Sequence, residues 1–248
     1  MSRTLTTEGA PLLGRTGAGI RIAIVDSGAA ADHPHIGAMN PGVALIGEIP
    51  GDTADRLGHG TAVAAAIREK APGAALIPVR VLDRTLATSA RILAQAIDWS
   101  VAQGVHLVNL SLGTTNEAHL PIFAAALARA AEQGVLVVSA HAHNGARWYP
   151  GSLPGAIGIV ADESVPRFAL RLADGALGTP RPPLAASPYP RPIPGVPPER
   201  NLSGVSFAVA NATGLLALAL EAGAPAGDPA AAIAWLTRQS LQAGEGSH

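Results

Sequence analysis

Three short segments of the sequence place a chemically reactive side chain among small residues. Asp26 ends an apolar run and precedes Ser-Gly, His59 lies between two glycines, and Ser206 lies in a Gly-Val-Ser-Phe-Ala segment. A carboxylate can orient an imidazole, the imidazole can take a proton from a hydroxyl, and the hydroxyl oxygen can then attack a carbonyl carbon. These residue types therefore suit acyl-transfer chemistry, provided that the fold brings them together.

The residues next to His59 and Ser206 favour the same interpretation. Glycines on both sides of His59 allow other backbone to approach the imidazole closely. Ser206 is expected to open a helix, where its backbone N–H lacks an intrahelical acceptor and can face an anion. Each segment alone is a weak signal, because such residues are more often helix caps or satisfied polar groups.

The hydrophobic pattern predicts an α/β fold that would position these residues. Strands are expected over residues 20–26, 75–81, 105–110 and 135–140, and helices over 58–70, 89–103, 121–133, 206–221 and 229–239. Strands that are apolar almost throughout are typical of a parallel sheet covered by helices on both faces. The loops that follow such strands share one edge of the sheet, which is where sites form.

Residues 161–203 interrupt this alternation. Nine prolines lie between residues 180 and 198, so we expect neither a central strand nor a helix there. A solvated linker and a long surface excursion within one domain are both compatible with the stretch. Because the strong pattern resumes after it, we favour the excursion, with an N-terminal extension over 1–17, one domain over 18–240 and a tail over 241–248.

Composition excludes several classes of function. The net charge is −1, with 17 basic and 18 acidic residues, so we expect no partnership with nucleic acid or an anionic membrane through a general basic field. There are no cysteines, which excludes disulfides, thiolate metal sites and a cysteine nucleophile. No apolar run reaches the length of a membrane span, and the first residues lack the apolar core of a secretory signal. We therefore expect a cytoplasmic protein.

The three segments resemble the signature motifs of the subtilisin-like serine peptidases, the subtilases, which have the same Asp, His, Ser order. The resemblance implies that Asp26 orients His59, that His59 is the general base and that Ser206 is the nucleophile. It continues in VRVL at 79–82, VNLSLG at 108–113 and YPG at 149–151.

The same resemblance implies a fold and an activity. The expected fold is the three-layer subtilisin-like arrangement, and the expected activity is that of a serine endopeptidase working through an acyl-enzyme. A peptide or protein substrate would lie as an added strand against Ser111, Leu112 and Gly113, held by main-chain hydrogen bonds.

One departure from the family concerns the oxyanion hole, where subtilases normally place an asparagine side chain. The corresponding stretch here is SAHAHNG over residues 139–145, which puts His143 at that position and Asn144 one residue late. Three interpretations remain open. His143 donates an N–H in place of the amide, a local bulge brings Asn144 in, or the hole is defective and hydrolysis is slow or absent.

A second departure concerns the pocket for the side chain that precedes the cleaved bond. Ala140, His141 and Trp148 are expected to border this pocket, and the family has small residues at the last two positions. Two rings there should shorten the pocket, so we expect a preference for small side chains. Ordinary packing against the proline-rich stretch is the competing explanation for Trp148.

The sequence predicts no cofactor and no metal. No segment gathers enough acidic or amide oxygens for calcium, and the pairs His33/His35 and His141/His143 lack nearby ligands. Two functions stay open. One is an endopeptidase, with a precursor or leader peptide as a candidate substrate. The other is a catalytically weak or inactive relative that binds peptide or scaffolds a partner. The proline-rich segment is a candidate contact for a protein partner.

Overall fold

The computed structural model describes residues 4–6, 12–49, 51–85, 87–173, 182–197 and 200–245. The strands are β1 (Thr4–Thr6), β2 (Arg21–Asp26), β3 (Val43–Ala44), β4 (Ala75–Arg80), β5 (Leu107–Leu110), β6 (Leu136–Ala140), β7 (Ala142–His143), β8 (Ala146–Arg147), β9 (Ala156–Ala161), β10 (Ala169–Leu172) and β11 (Leu184–Ala186). The helices are α1 (His59–Lys70), α2 (Ala90–Ala102), α3 (Leu120–Glu132), α4 (Val205–Glu221) and α5 (Pro229–Glu245), and a 3-10 turn covers Glu117–His119.

Most of the strands form one sheet, in the order β1-β10-β11-β9-β6-β5-β2-β4-β3. The pairs from β11 to β3 are parallel, whereas β1–β10 and β10–β11 are antiparallel. Helices α1, α4 and α5 pack on one face of the sheet, and α2 and α3 on the other. The prediction of a parallel sheet covered on both faces is therefore confirmed.

The predicted elements agree with the structure to within two residues, except at the C-terminus. Helix α5 continues to Glu245 instead of ending at 239, so part of the expected tail is helical. Residues 4–6 of the expected N-terminal extension pair with β10, while 1–3, 7–11 and 246–248 lie outside the described residues. The domain limits at 17 and 240 stay a prediction. Within the described part of the chain, no helix has both the length and the hydropathy to cross a membrane.

The prediction that no part of the proline-rich stretch forms an interior strand is wrong. Strand β11 lies between β9 and β10, and its three residues are buried. Prolines 182, 183 and 188 flank the strand but none lies inside it, so each of its N–H groups is free to pair. Residues 174–181 and 198–199 of this stretch lie outside the described residues.

The chain order of the parallel strands places a crevice at the carboxyl ends of β2 and β5. After β2 the chain adds β4 on one side, and then returns to add β5 on the other side of β2. Loops after neighbouring strands diverge where the strand order reverses in this way, and ligands bind there in α/β folds. Asp26 ends β2, and Ser111 follows the last residue of β5.

A buried lysine ends the helix that begins with His59. The Lys70 ammonium lies 2.6 Å from the Glu69 carboxylate and 4.6 Å from the centroid of the Phe168 ring, and its side chain is 0% exposed. Arg167 also pairs with Glu69. Burial lowers the pKa of Lys70 from 10.5 to about 8; the Glu69 hydrogen bond opposes this shift and the Arg167 charge adds to it.

We expect Lys70→Met to raise the free energy of unfolding at pH 7 by up to about 3 kcal/mol, because it removes a charge whose burial is unfavourable. Between pH 8 and 10.5 the unfolded chain holds the Lys70 proton that the folded chain has released. Wild-type stability should therefore rise with pH across this range, and the variant should lose that rise.

Urea denaturation at pH 7, 8.5 and 10 measures both effects. Lys70 is the one lysine and there is no cysteine, so few other groups titrate in this range. Arg129→Met is the matched control, since its ion pair with Asp98 is 50% and 41% exposed and should contribute less than about 1 kcal/mol. A variant that is less stable than wild type at pH 7 would contradict the prediction.

Candidate active site

The side chains of Asp26 and His59 form a hydrogen-bonded pair at the crevice. The Nδ1 atom of His59 lies 2.7 Å from Oδ1 of Asp26, whose side chain is 0% exposed. The backbone N–H of Ser27 donates to the same oxygen at 2.8 Å. A carboxylate in this position fixes the tautomer with hydrogen on Nδ1 and leaves Nε2 as the proton acceptor.

Close backbone packing explains the glycines in these two motifs. A Cβ on Gly60, the second residue of α1, would lie 2.1 Å from the carbonyl oxygen of Gly28. A Cβ on Gly28 would lie 2.3 Å from the carbonyl oxygen of Thr53, and Gly28 has φ +100°. The loop after β2 and the first turn of α1 can approach this closely only without side chains. This approach brings Asp26 to His59.

Asp55 supports His59 and was missed in the sequence analysis. Its Oδ1 accepts hydrogen bonds from the Ser27 hydroxyl and from the backbone N–H groups of Leu57 and Gly58. Its Oδ2 accepts from the backbone N–H and the hydroxyl of Thr61. Asp55 therefore satisfies N–H groups that the first turn of α1 leaves without intrahelical acceptors. The signal available in the sequence was an aspartate shortly before a predicted helix start.

The electrostatic surroundings raise the pKa of His59 above its ordinary value. Burial of the ring disfavours the charged form, but the hydrogen bond and charge of Asp26, with a smaller contribution from Asp55, outweigh it. Carboxylates that stabilise the imidazolium help a histidine base to hold a proton during a reaction.

Ser206 lies in the first turn of α4, after the extended residue Gly204. Its hydroxyl donates to the carbonyl oxygen of Ser111 at 3.2 Å, and the Ser111 hydroxyl donates to the carbonyl oxygen of Ser206 at 3.3 Å. The neighbouring Phe207 ring contacts the His59 ring, with centroids 5.8 Å apart. Ser206 and His59 thus border the same crevice, and transfer of the Ser206 proton to His59 requires the hydroxyl to turn away from Ser111.

A buried polar network anchors α4 to β5 beneath Ser206. The Asn109 amide donates to the Ser111 hydroxyl at 3.0 Å, and the Thr213 hydroxyl donates to the Asn109 carbonyl oxygen at 3.0 Å. Asn109 and Thr213 are both fully buried. Satisfied polar groups in a core fix one arrangement of the elements that they join, so this network sets the position of Ser206 relative to Ser111.

The two candidate oxyanion donors lie on a short hairpin formed by β7 and β8. Asn144 has φ +51° and Gly145 φ +76°, as in a two-residue turn with both central residues left-handed. Asn144 is exposed at this turn, whereas His143 is half-buried and contacts the Trp148 ring edge-on, with centroids 5.6 Å apart. Asn144, which comes one residue after the expected asparagine position, thus falls in the turn of this hairpin and is exposed to solvent.

The three residues expected at the specificity pocket lie in different surroundings. Ala140 ends β6 and is buried. A Cβ on Gly113 would lie 3.0 Å from the Trp148 ring, so the indole covers the segment expected to bind peptide. The His141 ring instead lies against Gly158, in a cavity of about 30 Å³ that also borders 182–183. We expected the rings of His141 and Trp148 to narrow the same specificity pocket. The structure supports this expectation only for Trp148.

The remaining predicted residues also border the crevice. Leu112 and Gly113 border a groove of about 630 Å³ that continues to α2 and α3.

Within the described ranges, no group of three or more His, Asp or Glu side chains is arranged to hold a metal ion. His33 and His35 form an edge-to-face ring pair 5.1 Å apart.

This chain is similar in sequence to known proteins. The profile of the Subtilase family matches residues 17–166. The minor extracellular protease Epr of Bacillus subtilis (strain 168) is 37% identical over 141 residues, covering 53% of this chain and 21% of that protein. Subtilisin Savinase of Lederbergia lenta is 32% identical over 163 residues, covering 60% of this chain and 58% of that protein.

The fold is also that of a solved structure. The crystal structure of a lanthipeptide protease superposes with a TM-score of 0.63 at 19% identity, covering 84% of this chain and 75% of that chain. The matched part of this chain corresponds to less than two thirds of the length of each of the two curated relatives.

Proposed function

Because this chain belongs to the subtilase family, we propose that it is a serine endopeptidase that cleaves peptide bonds through an acyl-enzyme on Ser206. The observation that carries the proposal is the 2.7 Å pair of His59 with the buried Asp26, beside the helix whose first turn contains Ser206. That pair supplies an oriented base next to an otherwise weak nucleophile.

In the proposed reaction, His59 Nε2 takes the Ser206 proton as Oγ attacks the carbonyl carbon of the substrate. The tetrahedral adduct then collapses, the carbon–nitrogen bond breaks, and His59 returns the proton to the leaving amine. Water attacks the resulting ester with His59 again acting as base. This second step releases the carboxylic acid and restores the Ser206 hydroxyl.

We assign the oxyanion hole to the backbone N–H of Ser206 and the ring of His143. Ser206 lies in the first turn of α4, where backbone N–H groups lack intrahelical acceptors. His143 is half-buried against the Trp148 ring, whereas Asn144 is exposed on the turn. An imidazole N–H can donate to a developing oxyanion as an amide does.

The position of Trp148 supports a preference for a small side chain before the cleaved bond. The indole lies against Gly113, the end of the segment that we propose pairs with the substrate. A substrate side chain entering here meets the indole within a short distance. Such restriction favours cleavage at few sites, as in trimming a precursor or leader peptide, over general digestion.

A peptide-binding protein without catalysis is the second candidate, favoured by the absence of an asparagine at position 143. Incubation of the protein with a proteome-derived peptide library, with products identified by mass spectrometry, separates the two. We expect new termini after Ala, Ser and Gly, and none with Ser206→Ala. A folded wild-type protein that retains peptides without cutting them would support the second candidate.

A further inference from the structure

Two grooves leave the crevice on opposite faces of the sheet. The first borders Leu112 and Gly113 and runs toward α2 and α3. The second, of about 500 Å³, lies between the first half of α1 and residues 190–193 and 201–202, on the face that carries α1 and α4. The second groove borders Gly58 and Thr61, which lie close to His59 in the chain. If the acyl side of a substrate pairs with 111–113, as proposed above, the leaving side would extend past His59 toward this groove.

The second groove combines apolar walls with basic side chains. Ala62 and Ala65 of α1 form one wall, while Ile193 and Leu202, which are 50% and 59% exposed, form the other. Arg191, His33 and His35 also line it. The Arg191 guanidinium thus contributes a positive charge to this lining.

Of the residues that the structure describes, Asp55 is the acidic one that borders this groove, and its oxygens are already engaged. They accept five hydrogen bonds from Ser27, Leu57, Gly58 and Thr61, which hold the pKa of the carboxyl below its ordinary value although burial opposes this. Asp55 therefore serves the fold of the His59 loop and offers no free acceptor to a basic ligand. Charge complementarity then favours an anionic occupant.

We infer that this groove, named here the Arg191 groove, binds an acidic side chain of the substrate within the first three residues after the cleaved bond. The carboxylate would pair with Arg191 and accept hydrogen bonds from His33 and His35, while its methylenes contact Ala62 and Ala65. This inference deepens the proposed function and depends on it for the direction of the peptide.

Cleavage-site profiling with the peptide library tests the groove. We expect Asp and Glu to be enriched about fivefold to tenfold at one of those three positions, and Arg191→Gln to abolish the enrichment. Arg200→Gln is the matched control, since Arg200 is exposed on the same segment and lies outside the groove lining. Cleavage without acidic enrichment, or with enrichment of Lys and Arg, would overturn the inference and leave the proposed function standing.

A binding measurement separates failure of the groove from failure of catalysis. Fluorescence anisotropy with intact Ser206→Ala protein compares labelled (Glu-Ala)₃, (Gln-Ala)₃ and (Lys-Ala)₃ peptides. We expect the Glu peptide to bind about fivefold more tightly than the Gln peptide, and Arg191→Gln to remove the difference. If the wild type cleaves nothing but this selectivity is present, the groove stands and the proposed function fails. Equal binding, or tighter binding of the Lys peptide, would overturn the groove.

Discussion

His59→Ala should lower kcat by roughly 10⁶-fold, the size of loss found in subtilisin when its catalytic histidine is removed. Without the imidazole, no base is present to take the proton of the Ser206 hydroxyl, which keeps its hydrogen bond to the Ser111 carbonyl oxygen. Asp26→Asn should cost about 10⁴-fold, because an amide favours the wrong tautomer of His59. Asp98→Asn, which breaks an exposed ion pair with Arg129, is the control and should retain activity within twofold.

The pH profile provides a second readout of the same pair. Activity requires neutral His59, so kcat/KM should rise with pH through a midpoint above the ordinary value of 6.5. Residual activity of Asp26→Asn should show a lower midpoint, since burial of the ring then acts with less opposition. An unchanged midpoint in this variant, with thermal melting showing an intact fold, would mean that Asp26 does not govern His59.

His143→Ala should lower kcat by about 10²–10³-fold with little change in KM, as expected for a donor that binds the oxyanion and not the ground-state carbonyl. His143→Asn, which restores an amide donor, should recover part of the loss. Asn144→Ala is the matched control on the same hairpin and should stay within twofold of wild type because Asn144 is exposed. Full activity in His143→Ala together with a large loss in Asn144→Ala would reverse the assignment.

The elements that carry the candidate site could be predicted because their patterns are local. Strands β2, β5 and β6 are apolar at most positions and almost entirely buried, and the glycines around His59 indicated the close approach that Gly60 makes to Gly28. Family resemblance then supplied the roles of the reactive residues, which composition and spacing alone could not assign.

The features that were missed depend on tertiary contacts. Strand β11 has only three residues and lies among prolines, so its local sequence does not predict a strand. Its pairing with β9 stabilises it. Asn144-Gly145 is a strong turn signal, but β7 and β8 have two residues each and no alternating pattern that would predict a hairpin. The ring of His141 lies against Gly158, a contact between separate segments that the local sequence does not indicate.

The most direct test of the central claim, that His59 activates Ser206, is mass-spectrometric mapping of the residue modified by a fluorophosphonate. The Ser206 oxygen should displace fluoride from phosphorus, so the wild-type protein should carry the adduct on the peptide containing Ser206. His59→Ala should label at least 10³-fold more slowly. A folded wild-type protein that carries no adduct on Ser206, or that labels there no faster than His59→Ala, would contradict the account.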